Sequence, residues 1–232
     1  MKRGSLFLVS TPIGNLKDIS QRAIEILKSV NLIAAEDTRR TGLLLKQIGV
    51  KNRLVSYHEH NEEKSAQVLL RVMLDGGDVA LASDAGTPLI SDPGFRIVQL
   101  CIENSLEVIP IPGPSAVLAG LVASGLPTNR FCFEGYPPRS PGKLKKRLQE
   151  LAEEKRTMVF FESGHRLKKT LAKMAEVFGQ RQAYIGREIT KKFEQSYRGS
   201  IADLQKAFEI DMPKGEFVLV VGGMPQDSGE RH

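Results

Sequence analysis

The chain has 232 residues, of which 41% are hydrophobic and 26% charged, the proportions of an ordinary soluble protein that can bury a substantial core. Its two cysteines, Cys101 and Cys132, lack CxxC spacing, which excludes a cysteine metal framework and favours reduced thiols in a cytoplasmic protein. The first predicted strand is not preceded by the long apolar region of a signal peptide.

The net charge of +6 is unevenly distributed along the sequence. Residues 1–126 carry 13 basic and 13 acidic side chains, whereas residues 127–200 carry 17 basic and 8 acidic ones. Residues 201–232 carry 3 basic and 6 acidic side chains. Clustered basic residues are typical of a surface that binds a polyanion, so this distribution favours nucleic-acid binding over a merely solvated, lysine-rich surface.

Strands and helices alternate through the first half of the sequence. Short apolar runs predict five strands, at 6–9, 32–35, 54–57, 79–82 and 108–111. Between them, apolar residues recur at helical spacing, as in Ile19, Ala23, Ile26 and Val30. This alternation predicts an α/β domain with a mostly parallel sheet and helices on both of its faces.

The stretch from Val108 to Asn129 contains no charged residue, and its length approaches that of a membrane span. It also contains four prolines and three glycines, and its first part has the character of a strand. We therefore predict a strand followed by a fully buried helix at 115–124, and we reject a transmembrane segment.

The pattern changes near Pro127, where we predict a domain boundary. Residues 1–126 form the N-terminal α/β domain with the parallel sheet, residues 127–225 form a basic, mixed α/β domain, and residues 226–232 form a polar tail. In the second domain, the segments 183–189 and 193–198 are close enough in sequence to pair as antiparallel strands.

Two loops rich in glycine and proline follow the fourth and fifth predicted strands. They are Ser83–Gly94 and Ile111–Ala116, and each leads into a helix through a proline, Pro93 or Pro114. A strand, a glycine loop and a helix start together aim unpaired backbone N–H groups at a ligand. The two loops therefore predict one pocket for a small polar molecule.

Common nucleotide, hydrolase and metal motifs are absent from the sequence. It contains no G-x-x-x-x-G-K-[S/T], no G-x-G-x-x-G and no G-x-S-x-G. His58 and His60 flank Glu59 without a matching set of ligands, which predicts a polar loop and no bound metal.

Several blocks of sequence carry a family resemblance: Leu8–Leu16, Ala35–Arg39, Ser83–Gly94, Ile111–Ala116, Phe161–Leu167, Gly186–Glu194 and Lys214–Phe217. Together they resemble the tetrapyrrole methylase (class III) superfamily of S-adenosylmethionine-dependent methyltransferases. Within it, they are similar to the branch that methylates the ribose 2′-oxygen of a cytidine in bacterial 16S ribosomal RNA. One departure is Gly164, which stands where the family usually has proline and leaves this loop less rigid.

The resemblance implies two α/β domains of the class III methyltransferase fold, with S-adenosylmethionine in the cleft between them, and a homodimer. From the residues themselves we expect neither a membrane partner nor a metal. It implies that the cofactor contacts Thr11, Pro12, Asp84, Gly86, Thr87, Ser115 and Ala116. Elementary chemistry agrees, because backbone N–H groups at a helix start suit a carboxylate and a glycine permits close approach.

The implied reaction is an in-line displacement at the methyl carbon, in which alignment supplies much of the acceleration. A base would take the proton of the 2′-hydroxyl group. The sequence does not choose between four candidates for it: Asp37, Glu162, His165 and Glu188. Each of the three carboxylates has an arginine nearby in sequence, so a structural ion pair is the alternative role.

The substrate would be 16S ribosomal RNA or the assembled small ribosomal subunit, held by basic residues that neutralise phosphates without reading bases. The candidates are Arg39, Arg40, Lys143, Lys145, Lys146, Arg147, Arg166, Lys191 and Lys192. Tyr136, next to Pro137, is the best candidate for stacking on a base.

Two other functions stay open. A tetrapyrrole methylase that acts on a small molecule would share the cofactor loops, although a porphyrinoid gives the basic second domain no evident use. A ribosome-assembly protein that binds RNA without catalysis would keep the basic surface but not bind the cofactor. Measuring S-adenosylmethionine binding distinguishes this last alternative from an enzyme.

Overall fold

Five parallel strands form the first of two sheets in the computed structural model, which describes residues 3–210 and 214–225. The strands are β1 (Leu6–Val9), β2 (Leu32–Ala35), β3 (Leu54–Ser56), β4 (Val79–Ala82) and β5 (Val108–Ile111), in the spatial order β3-β2-β4-β1-β5. β2 and β4 are buried along their whole length, as expected for strands covered on both faces. The predicted parallel sheet is confirmed.

Four α-helices and a short 3-10 helix (Leu16–Asp18) connect these strands: α1 (Gln21–Ser29), α2 (Thr38–Gln47), α3 (Glu62–Leu74) and α4 (Phe95–Glu103). α1 and α2 bury Leu27 and Leu45 in the hydrophobic cluster on one face of the sheet. α3 and α4 bury Leu69 and Ile97 in the cluster on the other face. The amphipathic spacing of the helices therefore covers both sides of the sheet.

The second sheet is mixed. Its strands are β6 (Phe131–Gly135), β7 (Thr157–Ser163), β8 (Gln182–Arg187), β9 (Gln195–Ser200) and β10 (Glu216–Val221), in the order β6-β7-β10-β8-β9. β6 and β7 are parallel, whereas the other neighbouring pairs are antiparallel. The helices that accompany this sheet are α5 (Ala116–Ser124), α6 (Pro141–Glu150), α7 (Gly164–Phe178) and α8 (Ile201–Ile210).

The helices of the second unit lie on both faces of its sheet. α6, α7 and α8 contribute Leu148, Leu171 and Leu204 to a large cluster on one face. α5 contributes Val117 and Leu121 to a smaller cluster on the opposite face. The polar tail predicted at 226–232 lies outside the described residues.

The two compact units divide between Ser115 and Ala116. This division lies earlier in the chain than the boundary between residues 126 and 127 expected from the sequence. The physical reason is that α5 packs on the second sheet, against Val218 and Val220 of β10. The change of sequence pattern near Pro127 therefore marks the start of β6 and not the limit of a packing unit.

The prediction that α5 is fully buried is wrong. Leu118 is 52% exposed and Val122 is 72% exposed, because only one side of the helix packs on the sheet. A helix without a single charged residue does not show by periodicity which side it will expose. Within the described part of the chain, none of the helices combines the length and the apolar character needed to cross a membrane.

Gly120 allows α5 to approach β10 closely. A Cβ atom at this position would lie 2.5 Å from Cγ1 of Val218, so Gly120→Ala forces the helix or the strand to move. We expect it to lower the free energy of unfolding by about 1 to 3 kcal/mol, measured by urea denaturation. In the control Gly142→Ala, at the start of α6, the new Cβ would meet nothing within 4 Å, and a gain of about 0.5 to 1 kcal/mol is expected. Equal effects of the two substitutions would contradict the close packing.

Candidate functional site

The loops after β1 and β4 are joined at the carboxyl edge of the first sheet, where β1 lies between β4 and β5. Thr11 and Gly86 exchange two backbone hydrogen bonds, of 2.9 and 3.0 Å. The Oγ1 of Thr11 donates to the backbone oxygen of Ser83 at 3.1 Å. Ligands of open α/β sheets bind outside the carboxyl ends of the strands, so this edge is the candidate site of the first unit.

Thr87 connects these loops to the one that follows β5. Its Oγ1 donates to the backbone oxygen of Pro114 at 3.2 Å and lies 3.1 Å from the Oγ of Ser10. The hydroxyl groups of Thr11 and Thr87 are therefore used to hold the three loops together. A ligand at this edge would meet mainly backbone groups and the half-buried side chains beside them.

Gly86, which we predicted to let the main chain approach a ligand closely, has a backbone conformation that favours glycine. Its φ of +88° lies in the left-handed region, and a Cβ atom there would lie 3.4 Å from Cγ2 of Ile13. Pro12 is half-buried next to Thr11. Of the other predicted cofactor residues, Ser115 ends the first unit and Ala116 begins α5 in the second.

Asp84 links the loop after β4 to the start of α2. Its Oδ1 accepts a hydrogen bond from the backbone N–H of Asp37 at 3.0 Å, and its Oδ2 lies 3.2 Å from Nη1 of Arg40. Asp84 is therefore at the predicted edge of the sheet, but one of its oxygens is occupied by the backbone and the other by an arginine.

Asp37 caps the N-terminus of α2. Its carboxylate accepts hydrogen bonds from the backbone and the side chain of Arg39, with Oδ2 and Nη2 2.7 Å apart. The hydrogen bonds from Arg39 hold the pKa of Asp37 well below its usual range. Because a carboxylate that binds protons so weakly is a poor base, these contacts favour the capping role over proton transfer.

Asp92 and Glu36 add two carboxyl groups near Asp84. Burial is the main cause that raises the pKa of Asp92 to about 7, and the negative charge of Glu36 adds to it. Burial is also the main cause that raises the pKa of Glu36, and the charge of Asp84 adds to it. Within residues 3–210 and 214–225, no group of three or more His, Cys, Asp or Glu side chains is arranged to hold a metal ion.

Sequence reasoning missed Asp92 as a member of this site. Its neighbours Ser91 and Pro93 give it the appearance of an ordinary turn residue. The signal that distinguishes it is its burial near two other carboxyl groups, which exists only in the folded chain.

Asp92 makes the stability of the protein depend on pH. The pKa of about 7, against 3.8 for an ordinary aspartate, means that the folded chain holds a proton between these pH values that the unfolded chain has lost. The stability that this proton contributes is present below pH about 4 and is lost as the pH rises through about 7. We expect Asp92→Asn to raise the free energy of unfolding at pH 8 by about 1 to 2 kcal/mol, after allowance for solvent screening, and to have little effect at pH 4.

Urea denaturation of the two proteins at both pH values measures this effect. Asp75→Asn, at an exposed position after α3, is the control for replacing an aspartate by asparagine as such. A gain from Asp92→Asn that is the same at pH 4 and pH 8 would show that its carboxyl group titrates normally.

Glu162, at the end of β7, is enclosed in the second unit. Its side chain is 0% exposed, its Oε2 accepts a hydrogen bond from Oγ1 of Thr170 at 2.5 Å, and its Oε1 accepts one from the backbone N–H of Ser163 at 2.9 Å. The Nε of Arg166 lies 3.5 Å from the same Oε1. These contacts support the structural alternative for Glu162, because a fully enclosed carboxylate cannot reach a substrate hydroxyl group without rearrangement.

Glu188 also has structural partners. Its Oε1 accepts hydrogen bonds from the backbone N–H of Glu216 at 2.8 Å and from Nζ of Lys191 at 3.1 Å. Burial acts to raise the pKa of Glu188, but the hydrogen bonds from Glu216 and Lys191 outweigh it and leave the pKa below its ordinary value. Arg187, the expected partner, instead donates to Gln195 and to the backbone oxygen of Lys214.

The predicted RNA-binding residues fall into two groups. The first group already has carboxylate partners: Arg39, Arg40, Arg147, Arg166 and Lys191. The second group is exposed and has no ion pair among the described residues: Lys143, Lys145, Lys146 and Lys192. The first three of these lie on α6 and leave their charge available to a polyanion, and the predicted roles of both groups stay predictions.

The fold is that of a class III methyltransferase, and the chain belongs to the tetrapyrrole methylase family. Residues 5–205 match the family model of the Tetrapyrrole (Corrin/Porphyrin) Methylases. Two solved structures share the fold at low identity. A cobalt precorrin-4 methyltransferase of cobalamin biosynthesis superimposes with a TM-score of 0.66 at 16% identity, covering 94% of each chain. A uroporphyrin-III-C-methyltransferase from Thermus thermophilus does so with a TM-score of 0.62 at 20% identity, covering 95% of this chain and 94% of the other.

Within the family, the chain is similar to enzymes named ribosomal RNA small subunit methyltransferase I. It is 46% identical to the one from Haemophilus influenzae, an alignment that covers 96% of this chain and 80% of the relative. It is 47% identical to the one from Synechocystis sp., with 97% of this chain and 81% of the relative covered. The family resemblance predicted from the sequence blocks is confirmed.

Proposed function

We propose that this protein transfers a methyl group from S-adenosylmethionine to the ribose 2′-oxygen of a cytidine in 16S ribosomal RNA. The observation that carries the proposal is the identity of 46% and 47%, along nearly the whole chain, to ribosomal RNA small subunit methyltransferases. The surplus of basic side chains in residues 127–200 supports RNA over a porphyrinoid as the substrate. We also propose that it acts in the cytoplasm as a homodimer, with 16S ribosomal RNA or the assembled small subunit as its partner.

The charges at the edge of the first sheet fit this cofactor, which carries an ammonium and a sulfonium group as well as a carboxylate. Burial and mutual repulsion raise the pKa values of Glu36 and Asp92 beside Asp84, and a cation bound near these carboxyl groups would favour their charged forms. Gly86 leaves its loop open to close approach. In this proposal Thr11, Pro12, Gly86 and Thr87 contact the cofactor mainly through their backbones, and Ser115 and Ala116 complete the site.

When bound, S-adenosylmethionine supplies a methyl group that is already activated. The work of the protein is then to align the 2′-oxygen with that methyl group and to exclude water. Of the four candidate bases, His165 is exposed at the start of α7, whereas the three carboxylates are held by neighbouring groups. We therefore favour His165 as the group that takes the hydroxyl proton.

The decisive experiment transfers an isotopically labelled methyl group from S-adenosylmethionine to unmodified small ribosomal subunits and maps the product. We expect the label on the ribose of a cytidine. A label on a base would refute the ribose assignment while leaving an RNA methyltransferase. Transfer to a carboxylated porphyrinoid but not to subunits would favour the small-molecule enzyme. Absence of cofactor binding in calorimetry, with and without RNA, would favour the assembly protein.

A further inference from the structure

A cavity of about 1000 Å³ lies within the second unit, between the segment that follows β6 and the first turns of α7. One wall is formed by residues 136–139 together with Leu144 of α6. The other wall is formed by α7, which contributes His165, Lys169 and Lys173. Its volume is at the upper end of the range for small-ligand sites, which is enough for a nucleotide and its flanking phosphates.

The charged side chains that line this cavity are all basic. Arg139, Arg166, Lys169 and Lys173 contribute to its surface, and no carboxylate lines it within the described part of the chain. Arg166 and Lys173 have carboxylate partners in Glu162 and Glu176, whereas Arg139 and Lys169 form no ion pair with any described residue. The cavity therefore presents two positive charges that a bound anion could neutralise.

The wall opposite α7 is preformed. Nη2 of Arg166 donates to the backbone oxygen of Pro137 at 2.5 Å and to that of Pro138 at 3.3 Å. Glu162 in turn holds Arg166 from the buried side. Two consecutive prolines further restrict the backbone of this segment. A ligand therefore does not have to order the segment when it binds.

Tyr136 places an aromatic ring at the cavity. Tyr136 is 55% exposed, and its ring makes a T-shaped contact with that of Phe161, with ring centroids 5.5 Å apart. Phe161 is itself in edge contact with Phe133 at 4.9 Å. An aromatic residue that is held by a neighbouring ring and still more than half exposed is the kind of platform on which unpaired bases stack in single-stranded RNA recognition.

We propose that this cavity binds one unpaired nucleotide of the RNA substrate, with its base stacked on Tyr136 and its phosphate between Arg139 and Lys169. The inference rests on the proposed function, which makes RNA the substrate, and it adds where and in what form the RNA is held. A base inside a duplex has both faces covered by its neighbours, so the cavity selects single-stranded RNA.

The test measures the affinity of the full chain for a fluorescently labelled, single-stranded oligocytidine and for the same strand in a duplex. We expect the single strand to bind more tightly. Tyr136→Ala should weaken its binding about 10-fold or more, whereas Tyr136→Phe should bind as the unaltered protein does. Lys169→Glu should weaken it and lower the salt dependence of binding, whereas Lys168→Glu, one residue away on α7 and outside the cavity lining, should do so much less.

Two outcomes of the binding measurements would overturn the proposal. One is unchanged binding by Tyr136→Ala, in a variant whose thermal unfolding matches that of the unaltered protein. The other is an equal loss from Lys168→Glu and Lys169→Glu, which would show a diffuse basic surface instead of a cavity. The subunit methylation assay distinguishes failure of the cavity proposal from failure of the proposed function. If the unaltered protein and the Tyr136→Ala variant methylate subunits equally well, only the cavity proposal is refuted. Failure of the unaltered protein to methylate subunits refutes the proposed function.

Discussion

We expect Glu162→Ala to lower the free energy of unfolding by about 3 to 5 kcal/mol, measured by urea denaturation. The substitution removes the acceptor for the Thr170 hydroxyl group and the Ser163 backbone N–H, and it leaves the positive charge of Arg166 without its buried partner. Breaking a buried pair from one side is costly because the remaining charge loses its neutralising partner and is only poorly solvated. We also expect the segment at Pro137 to loosen, since Arg166 connects it to Glu162.

The matched control is Glu150→Ala. Glu150 also pairs with an arginine, Arg147, at 3.0 Å, but its side chain is 49% exposed, and its loss should cost less than about 1 kcal/mol. Glu162→Gln tests the catalytic alternative, because the amide keeps the shape of the side chain and can still accept from Thr170. If Glu162→Gln abolished methyl transfer while stability remained unchanged, Glu162 would be the base and the structural role would be insufficient.

The second large effect concerns RNA affinity. Replacing Lys143, Lys145 and Lys146 together by glutamate should weaken binding of 16S ribosomal RNA about 100-fold or more at low salt, without lowering stability. All three side chains are exposed on α6 and lie outside ion pairs in the described ranges. If each contacts a phosphate, the slope of log affinity against log salt should fall by about 3, because fewer counterions are released on binding.

The control replaces Lys28, Lys46 and Lys51 together by glutamate, which changes the net charge by the same amount. These lysines are exposed in the first unit, where basic and acidic residues balance over residues 1–126. We expect a much smaller loss of affinity, which would arise only from the lower net charge. Equal losses in the two triple variants, measured by filter binding at several salt concentrations, would show that α6 is not part of the RNA surface.

The sequence by itself was sufficient for the alternating strands and helices and for the loops that follow β1, β4 and β5. Strand composition, helical spacing and turn residues are local properties, and consecutive βα units in one sheet have few alternative arrangements. The family followed from the same loops, because their residue types and their order along the chain are specific. Local sequence did not decide the position of α5, since an uncharged helix satisfies several packing arrangements equally well.

Only the tertiary structure decided what the charged residues do. Three carboxylates that lie near arginines in sequence have different roles in the folded chain. Glu162 is enclosed, Glu188 holds the start of β10, and Asp37 caps α2. Asp92 stands out only through its burial near Glu36 and Asp84. The physical reason is that the charge state and the reach of a side chain depend on desolvation and on partners distant in sequence, and these exist only in the folded chain.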